Sequence, residues 1–103
     1  MKGFGDLQKM LKNAQEMQDR LQREMAEMRV EGSSGGGMVT VVLDGQKNLH
    51  SLRLEPEVVN AQDVPMLQDL IIAAFNDAAA KINDILAGKL GGLGAGLKIP
   101  GLG

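Results

Sequence analysis

The apolar positions in the first third of the chain recur with the period of a helix. Between Asp6 and Met28 they fall at Leu7, Met10, Leu11, Ala14, Met17, Leu21, Met25 and Met28, and Gln, Lys, Glu and Arg cover most other positions. Leu7, Ala14, Leu21 and Met28 stand seven residues apart, which keeps them on one stripe of a helix. No glycine, proline or β-branched residue interrupts the stretch, and Asp6 after Gly5 is the expected N-cap. At 1.5 Å per residue such a helix is roughly 35 Å long, longer than a compact monomer of 103 residues needs.

The period then changes. Gly32-Ser33-Ser34-Gly35-Gly36-Gly37 breaks regular structure. Met38–Leu43 (MVTVVL) is β-branched and runs into Asp44-Gly45, which predicts a strand followed by a tight hairpin turn. Leu49–Leu54 alternates, with His50, Leu52 and Leu54 on one face and Leu49, Ser51 and Arg53 on the other, until Glu55-Pro56 ends it. The spacing also permits Arg29–Ser33 as a first strand, completing a three-stranded meander. Asp63 before Val64-Pro65 signals a helix start. Met66, Leu67, Leu70, Ile71, Ala74, Phe75, Ala78, Ile82, Ile85 and Leu86 then recur at helical spacing, and Gly88 is the expected stop. Residues 88–103 hold seven of the fourteen glycines, which predicts a flexible tail. The expected fold is α+β: a long N-terminal helix, a short three-stranded antiparallel sheet and a C-terminal helix in one domain, residues 1–87, followed by a glycine-rich tail, 88–103.

Composition sharpens this picture. There are two Phe, no Trp and no Tyr against seven Met, so the core lacks large aromatic contributions and is built from adaptable side chains. A short chain with such a core gains from burying more surface against a partner. Self-association is therefore expected. No cysteine is present, which removes disulfides, thiolate metal sites and cysteine nucleophiles. The longest apolar run, Leu70–Phe75, has six residues, far short of the roughly 18 that suggest a membrane span. No targeting segment is visible, and a cytoplasmic location is expected.

Candidate chemistry is sparse. His50, the one histidine, has no partner nucleophile suggested by spacing and no accompanying ligand pattern, so neither catalysis nor metal binding follows. Gly32 and Gly37 are spaced as in a phosphate-binding loop, but Met38-Val39 stands where Lys and Ser/Thr belong, and a strand follows where a helix should start. In Gly92-x-Gly94-x-Gly96, Leu97 occupies the place of the last fingerprint glycine, and a helix precedes it. The carboxylates of the first helix alternate with arginines, as in Glu16/Arg20 and Arg20/Glu24, the pattern of a solvated helix face. No enzyme, cofactor, metal or small-molecule substrate is expected.

Net charge is −2, which excludes nucleic-acid binding through bulk positive charge. The distribution is more informative. Residues 1–12 carry Lys2, Lys9 and Lys12 against Asp6 alone, residues 13–31 carry three arginines against five acids, and beyond Asp84 only Lys89 and Lys98 are charged. Both ends are locally basic on an acidic body, the kind of cluster that phosphate contact requires.

These features together resemble the YbaB/EbfC family of bacterial nucleoid-associated proteins. The resemblance is carried by Leu7-Gln8-Lys9-Met10 through Met17-Gln18, Gly35-Gly36-Gly37-Met38-Val39-Thr40-Val41, Asp44-Gly45, Leu54-Glu55-Pro56-Glu57 and Leu67–Ala78 (LQDLIIAAFNDA), with Lys98-Ile99-Pro100-Gly101 as a matching ending. It implies a homodimer joined through the sheets, with helices projecting like tweezer arms. It also implies binding to double-stranded DNA in the nucleoid, altered DNA conformation, and roles in nucleoid organisation, gene regulation and DNA protection. On that reading Lys2, Lys9 and Lys12, with Lys81, Lys89 and Lys98 as weaker candidates, contact phosphates, which positions without reading sequence. Met38, Val39, Val41, Leu43 and Leu52 are the expected dimer interface. The alternative is a protein-interaction adaptor that docks a partner through its Met-rich stripe without touching DNA.

Overall fold

A computed structural model describes residues 2–94. Helix α1 spans Lys2–Glu27, strands β1, β2 and β3 span Val30–Ser34, Val39–Leu43 and Leu49–Leu54, a short 3₁₀ turn covers Pro56–Val58, and helix α2 spans Val64–Gly94. The predicted meander is present, with β2 in the middle of an antiparallel sheet ordered β1-β2-β3. β1 pairs with β2 from Val30 opposite Leu43 to Ser34 opposite Val39. β2 pairs with β3 from Val39 opposite Leu54 to Val42 opposite Ser51, after which the register slips so that Leu43 faces Leu49. His50 is the residue left over at that bulge.

One face of the sheet is covered by α2, which lies over β1 and β2. The core joins Val30, Val39, Val41 and Leu43 of the sheet to Ala74, Ala78 and Ile82 of α2, with Val58 at its edge. Ala74, Ala78 and Ile82 are four residues apart, so they form one row of α2 facing the sheet, small at Ala74 and Ala78 and large at Ile82. Gly32 lies directly opposite. A Cβ there would meet the Ala74 carbonyl oxygen and come within 2.6 Å of the Ala78 Cβ. The helix can approach β1 this closely only because residue 32 has no side chain.

Two helix ends differ from the sequence expectation. α1 begins at Lys2, not at an Asp6 cap, because Gly3 and Gly5 lower helix propensity but keep the backbone groups the ladder needs. α2 does not stop at Gly88 but continues to Gly94. A glycine stop takes a left-handed φ, and among the described glycines only Gly35, Gly36 and Gly37, at the β1–β2 turn, have one. The part of the expected tail up to residue 94 is therefore helical, and residues 95–103 lie outside those described.

The residues expected at an interface fall in two settings within the chain. Val39, Val41 and Leu43 are fully buried in the chain's own core, and Met38 packs partly buried against it. They line the face that α2 already covers. Leu52 shares that face but sits on β3, beyond the reach of α2, and is 44% exposed. β3 is exposed along its whole length except at Leu54.

Candidate nucleic-acid interface

The basic residues divide by location. Lys9 and Lys12 lie on the exposed N-terminal half of α1, and among the described residues neither forms an ion pair. Lys2 is the first residue of that helix. The apolar side chains between them, Phe4, Leu7, Met10 and Leu11, are also exposed. Lys98 lies outside the described residues.

The other two lysines are engaged within the chain. The Lys81 ammonium is 3.1 Å from an Asp77 carboxylate oxygen and donates to the Glu31 carbonyl at 3.1 Å. Asp77 in turn accepts from the Ser33 backbone N–H at 3.0 Å. That bond, and then the neighbouring Lys81, lowers the Asp77 carboxyl below its ordinary range. The two side chains of α2 thus occupy backbone groups of β1, the outer strand. Lys89 stands 3.8 Å from Glu24 across a gap between α2 and α1, both groups about half exposed, which makes it a weak tether.

Beneath that pair is an apolar groove of about 400 Å³ lined by Met17, Leu21 and Met25 of α1 and Leu86 of α2, with Arg20, Glu24 and Lys89 at its rim. Its lining is mainly apolar.

The strongest polar cluster lies at the β2–β3 turn. Asp44 is only 3% exposed. Its carboxylate accepts from the Gln46 N–H at 2.8 Å, the Asn48 N–H at 3.0 Å, the Asn48 amide at 3.1 Å and His50 Nε2 at 2.8 Å. The His50 contact comes first among the causes that hold this carboxyl well below the usual carboxylate range, against the opposing effect of burial. An ionised carboxylate is an acceptor only, so Nε2 carries the proton in this contact. The next residue, Gly45, donates its N–H to the Met25 carbonyl of α1 at 2.8 Å.

Spacing alone did not reveal these two clusters. Asp77 and Lys81 are legible as an i, i+4 pair, but their contacts on β1 are more than forty residues away in sequence. Asp44-Gly45 is legible as a turn, whereas the His50 contact depends on the bulge that brings residue 50 back to residue 44. Among the described residues there is no group of three or more potential metal ligands and no helix long and apolar enough to cross a membrane.

Residues 1–97 match the YbaB/EbfC DNA-binding family. A nucleoid-associated protein of Pelotomaculum thermopropionicum is 44% identical over 101 residues, covering 95% of this chain and 96% of its own length. A nucleoid-associated protein of Geobacillus sp. strain WCH70 is 46% identical over 103 residues, covering 97% and 95%. The fold is similar to the crystal structure of an uncharacterized protein, HP0035, of Helicobacter pylori, with a TM-score of 0.74 at 21% identity over 87% of this chain and 95% of that one.

Proposed function

Because this chain belongs to the YbaB/EbfC DNA-binding family, we propose that it is a nucleoid-associated protein that binds double-stranded DNA as a homodimer and changes the path of the duplex. The observation that carries this reading is the N-terminal half of α1. It stands exposed with Lys9 and Lys12 free of ion pairs among the described residues and with Asp6 as the one acid among residues 1–12. Lys2 adds to the same basic end. Lys81 contributes less, since Asp77 and the Glu31 carbonyl hold it, and Lys89 stands near Glu24 in a weak, half-exposed pair.

Few lysines on an acidic chain give modest affinity that falls steeply with salt. Contacts of this kind go to phosphates, and the scarcity of aromatic residues gives no platform for stacking on unpaired bases. Duplex binding in the nucleoid, without strong sequence preference, is the matching activity.

Pairing of two copies is supported by what the fold leaves uncovered. The outer edge of β1 has its Ser33 N–H and Glu31 C=O bonded to α2 side chains. The opposite edge, β3, is exposed and carries Leu49 and Leu52, the condition in which an edge strand accepts a partner. A dimer presents two copies of α1 and doubles the phosphate contacts.

Replacing Lys9 and Lys12 together by Glu and measuring retardation of a duplex at low salt tests the reading. Loss of the shifted band is expected, and unchanged retardation would sink the assignment. The exposed Met10 and Met17 keep the adaptor reading as the alternative, and it predicts no retardation by the unmodified protein at micromolar concentration.

A further inference from the structure

The helix that bears Lys9 and Lys12 is joined to the sheet in a very small area. Among the described residues, one hydrogen bond between backbones links α1 to the strands and their turns, from the Gly45 N–H to the Met25 carbonyl at 2.8 Å. At the same point the helix rests on the turn itself. A Cβ on residue 45 would stand 2.9 Å from both the Met25 α-carbon and its carbonyl oxygen, closer than real side chains come. Gly45 is therefore both the donor and the surface on which the last turns of α1 lie.

The turn beneath this contact is held from several directions. Asp44 receives two backbone N–H groups, the Asn48 amide and the His50 ring. The Asp44 N–H donates to the Asn48 carbonyl, and the Lys47 N–H to the Asp44 carbonyl, each at 3.0 Å. Lys47 takes a left-handed φ of 67°, a conformation that persists when its surroundings determine it. A loop fixed this way does not swing with the helix it supports.

We propose that the Asp44–Asn48 turn is the seat that sets the direction of α1, with Gly45 as the contact and Asp44 as the positioning residue beneath it. The purpose rests on the DNA-binding reading above, whereas the geometry does not. Lys9 lies sixteen residues from Met25, roughly 24 Å along the helix. A tilt of about 10° at the seat therefore moves Lys9 by about 4 Å. Charge-assisted N–H···O contacts are made at about 2.8 Å, so such a shift separates an ammonium from its phosphate. Glu24 and Lys89, half exposed and 3.8 Å apart, are too weak a pair to hold the angle alone.

The chain lacks cysteine, so spin labels can be placed cleanly at Asn13→Cys on α1 and Asn76→Cys on α2, with labelled protein diluted into unlabelled protein. Pulsed electron spin resonance is expected to give one narrow distance distribution in the otherwise native chain. Gly45→Ala is expected to move its mean by several ångströms, since the added methyl displaces Met25, and Asp44→Asn to broaden it. Asp44→Asn keeps the side-chain size and provides the test if Gly45→Ala does not fold, as judged by circular dichroism. Duplex affinity should fall about tenfold in whichever variant shifts or broadens the distribution. Lys9→Glu/Lys12→Glu should lose DNA while keeping the native distance, which separates failure of the contact from failure of the seat. Distances unchanged in both turn variants overturn the proposal, as does an altered distance with native DNA affinity. If the native chain does not retard DNA, the functional reading fails, and the distances still decide the geometry.

Discussion

Two long helices of one chain meet opposite fates. α2 lays Ala74, Ala78 and Ile82 against two strands and buries them completely, and its Asp77 and Lys81 fasten the outer strand from the side. α1 has the cleaner apolar stripe in sequence, yet Phe4, Leu7, Met10, Leu11 and Met17 are all exposed. The difference lies in what each helix offers a sheet. Small residues facing a glycine let α2 come close enough to share a core with β1 and β2. α1 carries large flexible side chains and meets the body near Gly45. Periodicity reports that a helix has an apolar face and says nothing about which surface covers it.

The close packing of α2 on β1 is the most sensitive point of the fold. Gly32→Val places a branched side chain where the Ala74 carbonyl and Ala78 already stand. A loss on the order of 4 kcal/mol, or failure to fold, is expected from urea denaturation, and a loss below about 0.5 kcal/mol would contradict the close approach. Ile82→Ala empties a fully buried site and should cost about 3 kcal/mol in the same measurement.

Smaller effects come from the polar clusters. Asp44 and Asp77 both have carboxyl groups held below their ordinary range in the folded chain. Each therefore contributes stability that is present above the unfolded value of about 3.9 and is lost as pH falls through the lower folded value. Thermal midpoints should be level near neutrality and fall below about pH 4. Asp44→Asn should start lower and show a shallower decline, because one of the two contributors is gone. An unchanged acid slope in that variant would remove the turn cluster from the account.

The smallest stability effect is expected on α1. Lys9→Gln and Lys12→Gln touch no ion pair among the described residues and should leave the denaturation midpoint within about 0.5 kcal/mol of the native value. A larger drop would mean that the arm packs on something.

Much of the fold was legible before the structure. The stripe from Leu7 to Met28 and the MVTVVL strand mark α1 and β2, and Asp44-Gly45 marks the turn between β2 and β3. The errors share a cause, which is that local signals do not encode which neighbour arrives. Val39, Val41 and Leu43 read as a surface for a partner, and their burial under α2 within the chain is set by a helix more than twenty residues further on. Gly88 reads as a helix stop because glycine favours that position, yet its φ stays out of the left-handed region and the ladder runs on. The lysines were legible as charges, but which of them remain available depends on Asp77 and Glu24, set by packing.

On the proposed reading, the exposed N-terminal half of α1 carries the phosphate contacts. The most direct test is the salt dependence of duplex binding by the native chain and by Lys9→Gln/Lys12→Gln. The slope of log K against log salt should fall in magnitude by about 0.9 for each phosphate contact removed, with folding unchanged. A variant that binds with the native slope and affinity would contradict the account.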